Sequence, residues 1–356
     1  MDAVRSYQRW ASGPEKLSRP SHGVMGVGTS RASLCDDASG LDIKHAELAS
    51  QITTRGFDAA GIANAARSFI DGRPARYFEW KLPPHAVRVV ALPLDDVNLS
   101  DAPSRHIGQL ALTAANQIAA TLPVGARYWI PPAGSLHLTI HHPGLSPTTG
   151  SFDSQQEPPS RHELQQELSA ARRLAASIAS RNISLDVDRL ALTSSGALLL
   201  LLRAAPTAEP GATCVAALRA AAAATFPKAA KKQTSGLVHV SLLRITQLPP
   251  VAFGVNSSAA RAAARVVDEW TARLRGLRAS VHGLLYVREA QIMTLEGDWH
   301  RLRFGGPGGV GWQARRQARR MHERMSLQQA LALGGTRPEY DHDRPSVYHS
   351  ALRVNV

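Results

Sequence analysis

Twice in the chain a histidine is followed two residues later by a hydroxyl: His137 and Thr139 in SLHLTIHH, then His239 and Ser241 in LVHVSLLRI, 102 positions further on (239 − 137). An imidazole titrating near ~6.5 can give or take a proton close to neutral pH. A hydroxyl beside it can donate a hydrogen bond to an oxygen on which charge gathers in a transition state. Two such pairs facing each other could do general acid–base work, one imidazole taking a proton and the other giving one beside two oxyanion donors, or they could be two satisfied histidines on sheet faces. The sequence leaves open which histidine takes which part.

Metal chemistry fits these residues poorly. His137 is followed by His141 and His142, but strand parity sends His142 to the other face, and no Asp or Glu lies within ten residues to complete a ligand set. The two cysteines, Cys35 and Cys214, are far apart with no CxxC, which argues against a zinc knuckle and a disulfide framework. HExxH, GxSxG and GxxxxGK[ST] are all absent. No metal and no cofactor is expected.

The elements that must position the two pairs are strands. Leu136, Leu138 and Ile140 alternate with His137 and Thr139, and Val238, Val240 and Leu242 alternate with His239 and Ser241, so in each case apolar residues point one way and the polar pair the other. Around them the pattern predicts a buried strand at 87–94, a helix in which Ile107, Leu110, Ala114 and Ile118 share a face, and short strands at RYWI and SLHLTI. A second helix, with Leu164, Leu168, Ala171, Leu174 and Ile178 as its stripe, precedes two strands around TSSG. Helices at 211–225 and 258–276 flank the second histidine strand, and SVHGLLYVRE and WHRLRF close the domain. Helical spacing also runs between Ile43 and Ile70. A long polar loop lies at 141–160.

The chain has 356 residues and a formal charge of +13, from 41 Lys and Arg against 28 Asp and Glu, a balance that suits phosphate-bearing partners. Its longest apolar run, ALLLLL, is far too short for a membrane span. The first 40 residues are rich in Arg, Ser and Gly, as an organellar transit segment would be, but Asp2, Glu15, Asp36 and Asp37 weaken that reading; the expected location is the cytoplasm, with an organellar transit segment as the alternative. GPGGVG at 306–311 has the spacing of a dinucleotide fingerprint without its context and reads as a hinge. Arg316, Arg320 and Arg324 form a basic stripe beyond it, read as a solvated face or a contact for RNA or anionic lipid.

RYWIPPAGSLHLTI followed by LVHVSLLRI resembles the two-histidine (2H) phosphoesterase superfamily, which includes RNA 2',3'-cyclic phosphodiesterases and the 2'-5' RNA ligase family. The resemblance covers about residues 85–305 and includes the aromatic Trp129. It departs from the usual pattern in the generous motif separation and in His141 and His142. What it implies is an α+β, bilobal fold, with two pseudo-symmetric lobes whose antiparallel sheets line a central cleft and whose helices lie outside.

The expected organisation is an N-terminal extension at 1–84, largely disordered with helix in it, the 2H-like domain at 85–305, and a basic tail at 306–356. The expected activity is metal-independent hydrolysis of a 2',3'-cyclic phosphate on an RNA end or small nucleotide, with His137, Thr139, His239 and Ser241 catalytic. The alternatives are 2'-5' RNA ligation at the same site and a non-catalytic RNA- or nucleotide-binding module. Candidate substrate contacts are Lys228, Lys231 and Lys232 for phosphate and Tyr286 for base stacking, with a core role as the alternative for Tyr286. Arg244 shares parity with the core side of its strand and reaches the cleft only if that strand twists or ends. The expected partner is an RNA end or nucleotide bound by a monomer.

Overall fold

The computed structural model describes residues 38–146, 152, 157–178, 180–205, 214–229 and 237–305. Lys231, Lys232, the 306–311 glycine run and the arginine stripe lie outside these residues. No helix among the described residues is long and apolar enough to cross a membrane.

The elements run α1 (Ala38–Arg55), α2 (Ala59–Ala66), β1 (Phe69–Ile70), β2 (Arg73–Pro74), β3 (Arg88–Pro93), α3 (Ala102–Ala120), β4 (Arg127–Trp129), β5 (His137–His141) and α4 (Arg161–Ser177). They continue as β6 (Ile183–Leu192), β7 (Ala197–Ala204), α5 (Val215–Thr225), β8 (Val238–Gln247), α6 (Ser258–Leu274), β9 (Arg278–Val281), β10 (Gly283–Gln291) and β11 (Glu296–Arg303). This is an α+β fold. Apart from the small β1–β2 ribbon, the strands form a four-stranded sheet, ordered β11-β10-β3-β5, and a five-stranded sheet, ordered β4-β8-β7-β6-β9. All their named pairings are antiparallel.

Local chemistry sets the helix starts. Asp101 accepts from the Ser104 amide at the head of α3, and Ser160 and Glu163 form a reciprocal capping box at the head of α4. Ser257 caps α6 by accepting from Ala260. Cys214 stands at the N-cap of α5 and is disulfide-bonded, which the wide cysteine spacing did not suggest. At the tip of the β6–β7 hairpin Gly196 has φ +78, and a Cβ there would meet the Ile245 side chain at 2.8 Å, so the turn needs glycine.

One main core joins the two sheets to α3, α4, α5 and α6. The run ALLLLL is explained by β7 being buried on both faces. Leu198, Leu200 and Leu202 enter the main core, while Leu199 and Leu201 form a separate cluster with Ala191 and Ala197, against which Leu48 and Ala49 of α1 pack. Residues 38–84 thus join the fold: α1 covers one sheet face, and Ile52, Phe57 and Ile62 enter the main core.

SVHGLLYVRE reads as one strand but forms parts of two. β9 pairs with β6 in the five-stranded sheet, and one residue later β10 pairs with β3 and β11 in the four-stranded sheet. His282 is the crossing point, and at Gly283 the Leu302 carbonyl comes so near that a Cβ would lie 2.4 Å from it. An alternation pattern reports faces and is blind to which neighbour a strand chooses.

Candidate active site

The alternation read in the two motifs is present. In β5, His137 and Thr139 are half-buried while Leu138 and Ile140 are buried. In β8, His239 and Ser241 are half-buried between buried Val238, Val240 and Leu242. β5 lies at the edge of the four-stranded sheet, and it packs against β8 of the other sheet. The two motif strands are also tied by a residue the sequence reading missed. Arg219 of α5 donates from one guanidinium nitrogen to the Leu237 carbonyl at 2.9 Å and from another to the Thr139 carbonyl at 3.1 Å. An arginine on an alanine-rich helix gives no local sign of such a role.

Each imidazole has its own setting. His137 Nδ1 lies 2.8 Å from the Ser135 carbonyl. A carbonyl can only accept, so Nδ1 carries the proton and Nε2 is left for chemistry. Burial pushes the His137 pKa below its ordinary value, and the Ser135 bond opposes that shift. His239 Nδ1 is buried without a hydrogen-bond partner among the described residues. Burial, then the charges of Arg219, His137, Arg244 and His45, push its pKa down to about 3. His137 standing among these charges fits the packing of β5 on β8. Neither the Thr139 nor the Ser241 hydroxyl is engaged by another described residue.

Strand bulges decide what else joins this face. On β8 the register against β7 slips between the Leu198–Leu243 and Leu199–Ser241 pairs, so Leu242 is the extra residue. Parity therefore flips, and Arg244, opposite Ala197 on one side and Trp129 on the other, falls on the face of His239 and Ser241. Simple parity had put it with the core. Arg244 is buried, donates to the Ser195 carbonyl at 3.5 Å, and has its pKa lowered by burial to about 9. On β5 a matching slip pairs His141 with Val90 and Thr139 with Ala91. It turns His141 away from Thr139, to stack on Phe226 with centroids 5.6 Å apart. Burial lowers the His141 pKa to about 4.

Tyr286 is fully buried, donates its hydroxyl to Glu167 at 2.9 Å and stacks on His300, so it offers no face to a base. Its role is the core one: Glu167 also receives two bonds from Arg88, which fastens α4 to the four-stranded sheet. Lys228 is exposed just beyond α5.

Two further groups escaped the sequence reading. Asp95 accepts from the Gly134 amide at 2.7 Å and the Leu136 amide at 3.0 Å, holding the turn that delivers His137. Burial raises its pKa to about 6. His45 of α1 is wholly buried, with Nδ1 2.8 Å from Asp188, and its charge is among those acting on His239. Among the described residues no group of three His, Cys, Asp or Glu is placed to hold a metal ion.

No family model matches the chain, and no curated protein matches it. Solved structures with which it aligns include TT0787 of Thermus thermophilus, at 14% identity over 61% of this chain and 95% of that one, with a TM-score of 0.36. Kluyveromyces marxianus Usb1 aligns at 12% identity over 62% and 98%, with a TM-score of 0.35. ATU0111 from Agrobacterium tumefaciens, a conserved protein of unknown function, aligns at 14% over 61% and 84%, with a TM-score of 0.39. Likenesses of this size carry no argument about activity, and the functional reading rests on the site.

Proposed function

We propose that the protein is a phosphodiesterase of the two-histidine kind that opens a 2',3'-cyclic phosphate on an RNA end or a nucleotide, in a cleft between its two sheets. The observation that carries the reading is the packing of β5 against β8, each presenting one half-buried histidine and one unengaged hydroxyl, with Arg219 tying both strands. His239, facing the cations of Arg219 and Arg244, is held neutral and serves as the base. It takes a proton from water as the water oxygen bonds to phosphorus. His137, whose pKa burial lowers while its Nδ1–H bond to the Ser135 carbonyl opposes that shift, is assigned as the acid. It protonates the ribose oxygen released as the P–O bond breaks. Thr139 and Ser241 donate to the non-bridging oxygens, where charge builds up.

The test is hydrolysis of nucleoside 2',3'-cyclic phosphates in EDTA by the wild type, His137→Ala and His239→Ala. Each substitution is expected to cost on the order of 10²–10⁴ in kcat/KM. Both free imidazoles lie below their ordinary range, so the kcat/KM profile should be a bell centred on the acid side of pH ~6.5. Absence of turnover in the wild type, or full turnover in either variant, would refute the assignment.

A further inference from the structure

A pocket of about 570 Å³ is lined by Gly134 and Ser135, which shortly precede His137 in the chain, and by none of the four motif side chains. Its walls come from both sheets. Trp129 sits opposite Arg244 on the face of the five-stranded sheet that carries His239 and Ser241. Arg301 lies opposite Leu285, Leu285 opposite Ala91, and Ala91 opposite Thr139, so Arg301 shares the face of Thr139 on the four-stranded sheet. Trp299, two residues before Arg301 on β11, lies on that same face. The floor includes Gly134 and Ser135, part of the run that Asp95 holds and that leads into His137. The pocket thus borders the sheet faces that carry the two motifs.

Most of its charged groups are already engaged. Arg73 pairs with Glu79 at 2.7 Å, Arg301 with Asp96 at 2.9 Å, and Asp95 with its two amides. Glu296 is exposed, lines the pocket and acts on Arg73 through its charge, but its carboxylate has no hydrogen-bond partner among the described residues. A carboxylate only accepts, and its two oxygens match a pair of parallel N–H donors. Of the four RNA bases, guanine alone offers such a pair, N1–H with the N2 amino group. Adenine, cytosine and uracil each set a donor beside an acceptor on that edge. The two indoles supply the apolar, aromatic surface that favours a base over a sugar or a free phosphate. Resting on the phosphodiesterase reading, we infer that this pocket is a nucleobase subsite selective for guanine, with Glu296 as the selecting residue and Trp129 and Trp299 as its aromatic walls.

The experiment measures binding, independent of turnover, by calorimetry with 3'-GMP, 3'-AMP, 3'-CMP and 3'-UMP, in the wild type and in the Glu296→Gln and Trp129→Leu variants. The expected result is that 3'-GMP binds about 10-fold to 100-fold tighter than 3'-UMP. Glu296→Gln should bring the four within about 3-fold of one another, and Trp129→Leu should weaken all of them. A His137→Ala, His239→Ala double variant should keep the guanine ranking, which separates base recognition from catalysis. Guanine preference without hydrolysis of any cyclic phosphate would sink the phosphodiesterase reading and leave the subsite standing. Equal binding of all four bases, or a preference that survives Glu296→Gln, would overturn the subsite even if turnover is found. No binding of any nucleotide would overturn both.

Discussion

Replacing Arg219 by methionine keeps most of the aliphatic stem and removes the charge. In the protein the guanidinium donates to the Thr139 and Leu237 carbonyls, the first on one motif strand and the second at the start of the other. Hydrogen bonds to a charged group contribute roughly 1.5–3 kcal/mol each. Against their loss stands relief from burying the cation, whose pKa burial has lowered to about 10. A net destabilisation of about 3 kcal/mol is expected, which in a domain of this size lowers Tm by roughly 6–12 °C.

The same substitution acts on His239, because Arg219 is the leading charge holding its pKa down, after burial. Even at about 10 Å, a unit charge in an effective dielectric of about 20 contributes roughly 1.7 kcal/mol, or about 1.2 pKa units. The acid limb of kcat/KM should therefore move up by about one pH unit. Arg219→Lys should keep most of the limb position while losing the double bridge. Thermal unfolding and pH–rate profiles of the three proteins decide the matter. An unchanged Tm together with an unmoved acid limb would refute both the tie between strands and its electrostatic effect.

Two further substitutions test buried titrating groups away from the cleft. Glu289 is buried and accepts from the Leu295 amide at 2.9 Å, and burial raises its pKa to about 7. Its contribution to stability is complete below the unfolded value near ~4.5 and is lost as pH rises through 7, so Glu289→Gln should gain up to about 3 kcal/mol in urea unfolding at pH 8 and almost nothing at pH 4. His141 titrates at about 4 in the fold against ~6.5 unfolded, so its contribution is complete above 6.5 and is lost as pH falls toward 4. His141→Phe should retain the contact with Phe226 and flatten the acid side of the stability profile by up to about 3 kcal/mol.

Much of this could be read from residue types alone. Alternation exposed the faces of β5 and β8 because a half-buried strand writes its environment into every second residue. Helical stripes placed α3 and α4 for the same reason. What escaped were features that depend on the partner strand. The extra residue at Leu242 turned Arg244 to the motif side, and the slip at β5 turned His141 away from it. The crossing at His282 split an apparent single strand. Arg219, Asp95 and His45 escaped because their partners are distant in sequence: Thr139, Gly134 and Asp188 respectively for three lone charged residues. Tyr286 showed the reverse error, since an aromatic with a polar tip serves a core as readily as a base.

The helix α1 has a bearing on the shape of any substrate. Leu48 and Ala49 rest on the sheet face that carries Leu201, and Leu201 stands directly opposite His239. The helix therefore stands over part of the face that carries His239, and it bounds on one side whatever molecule that face receives.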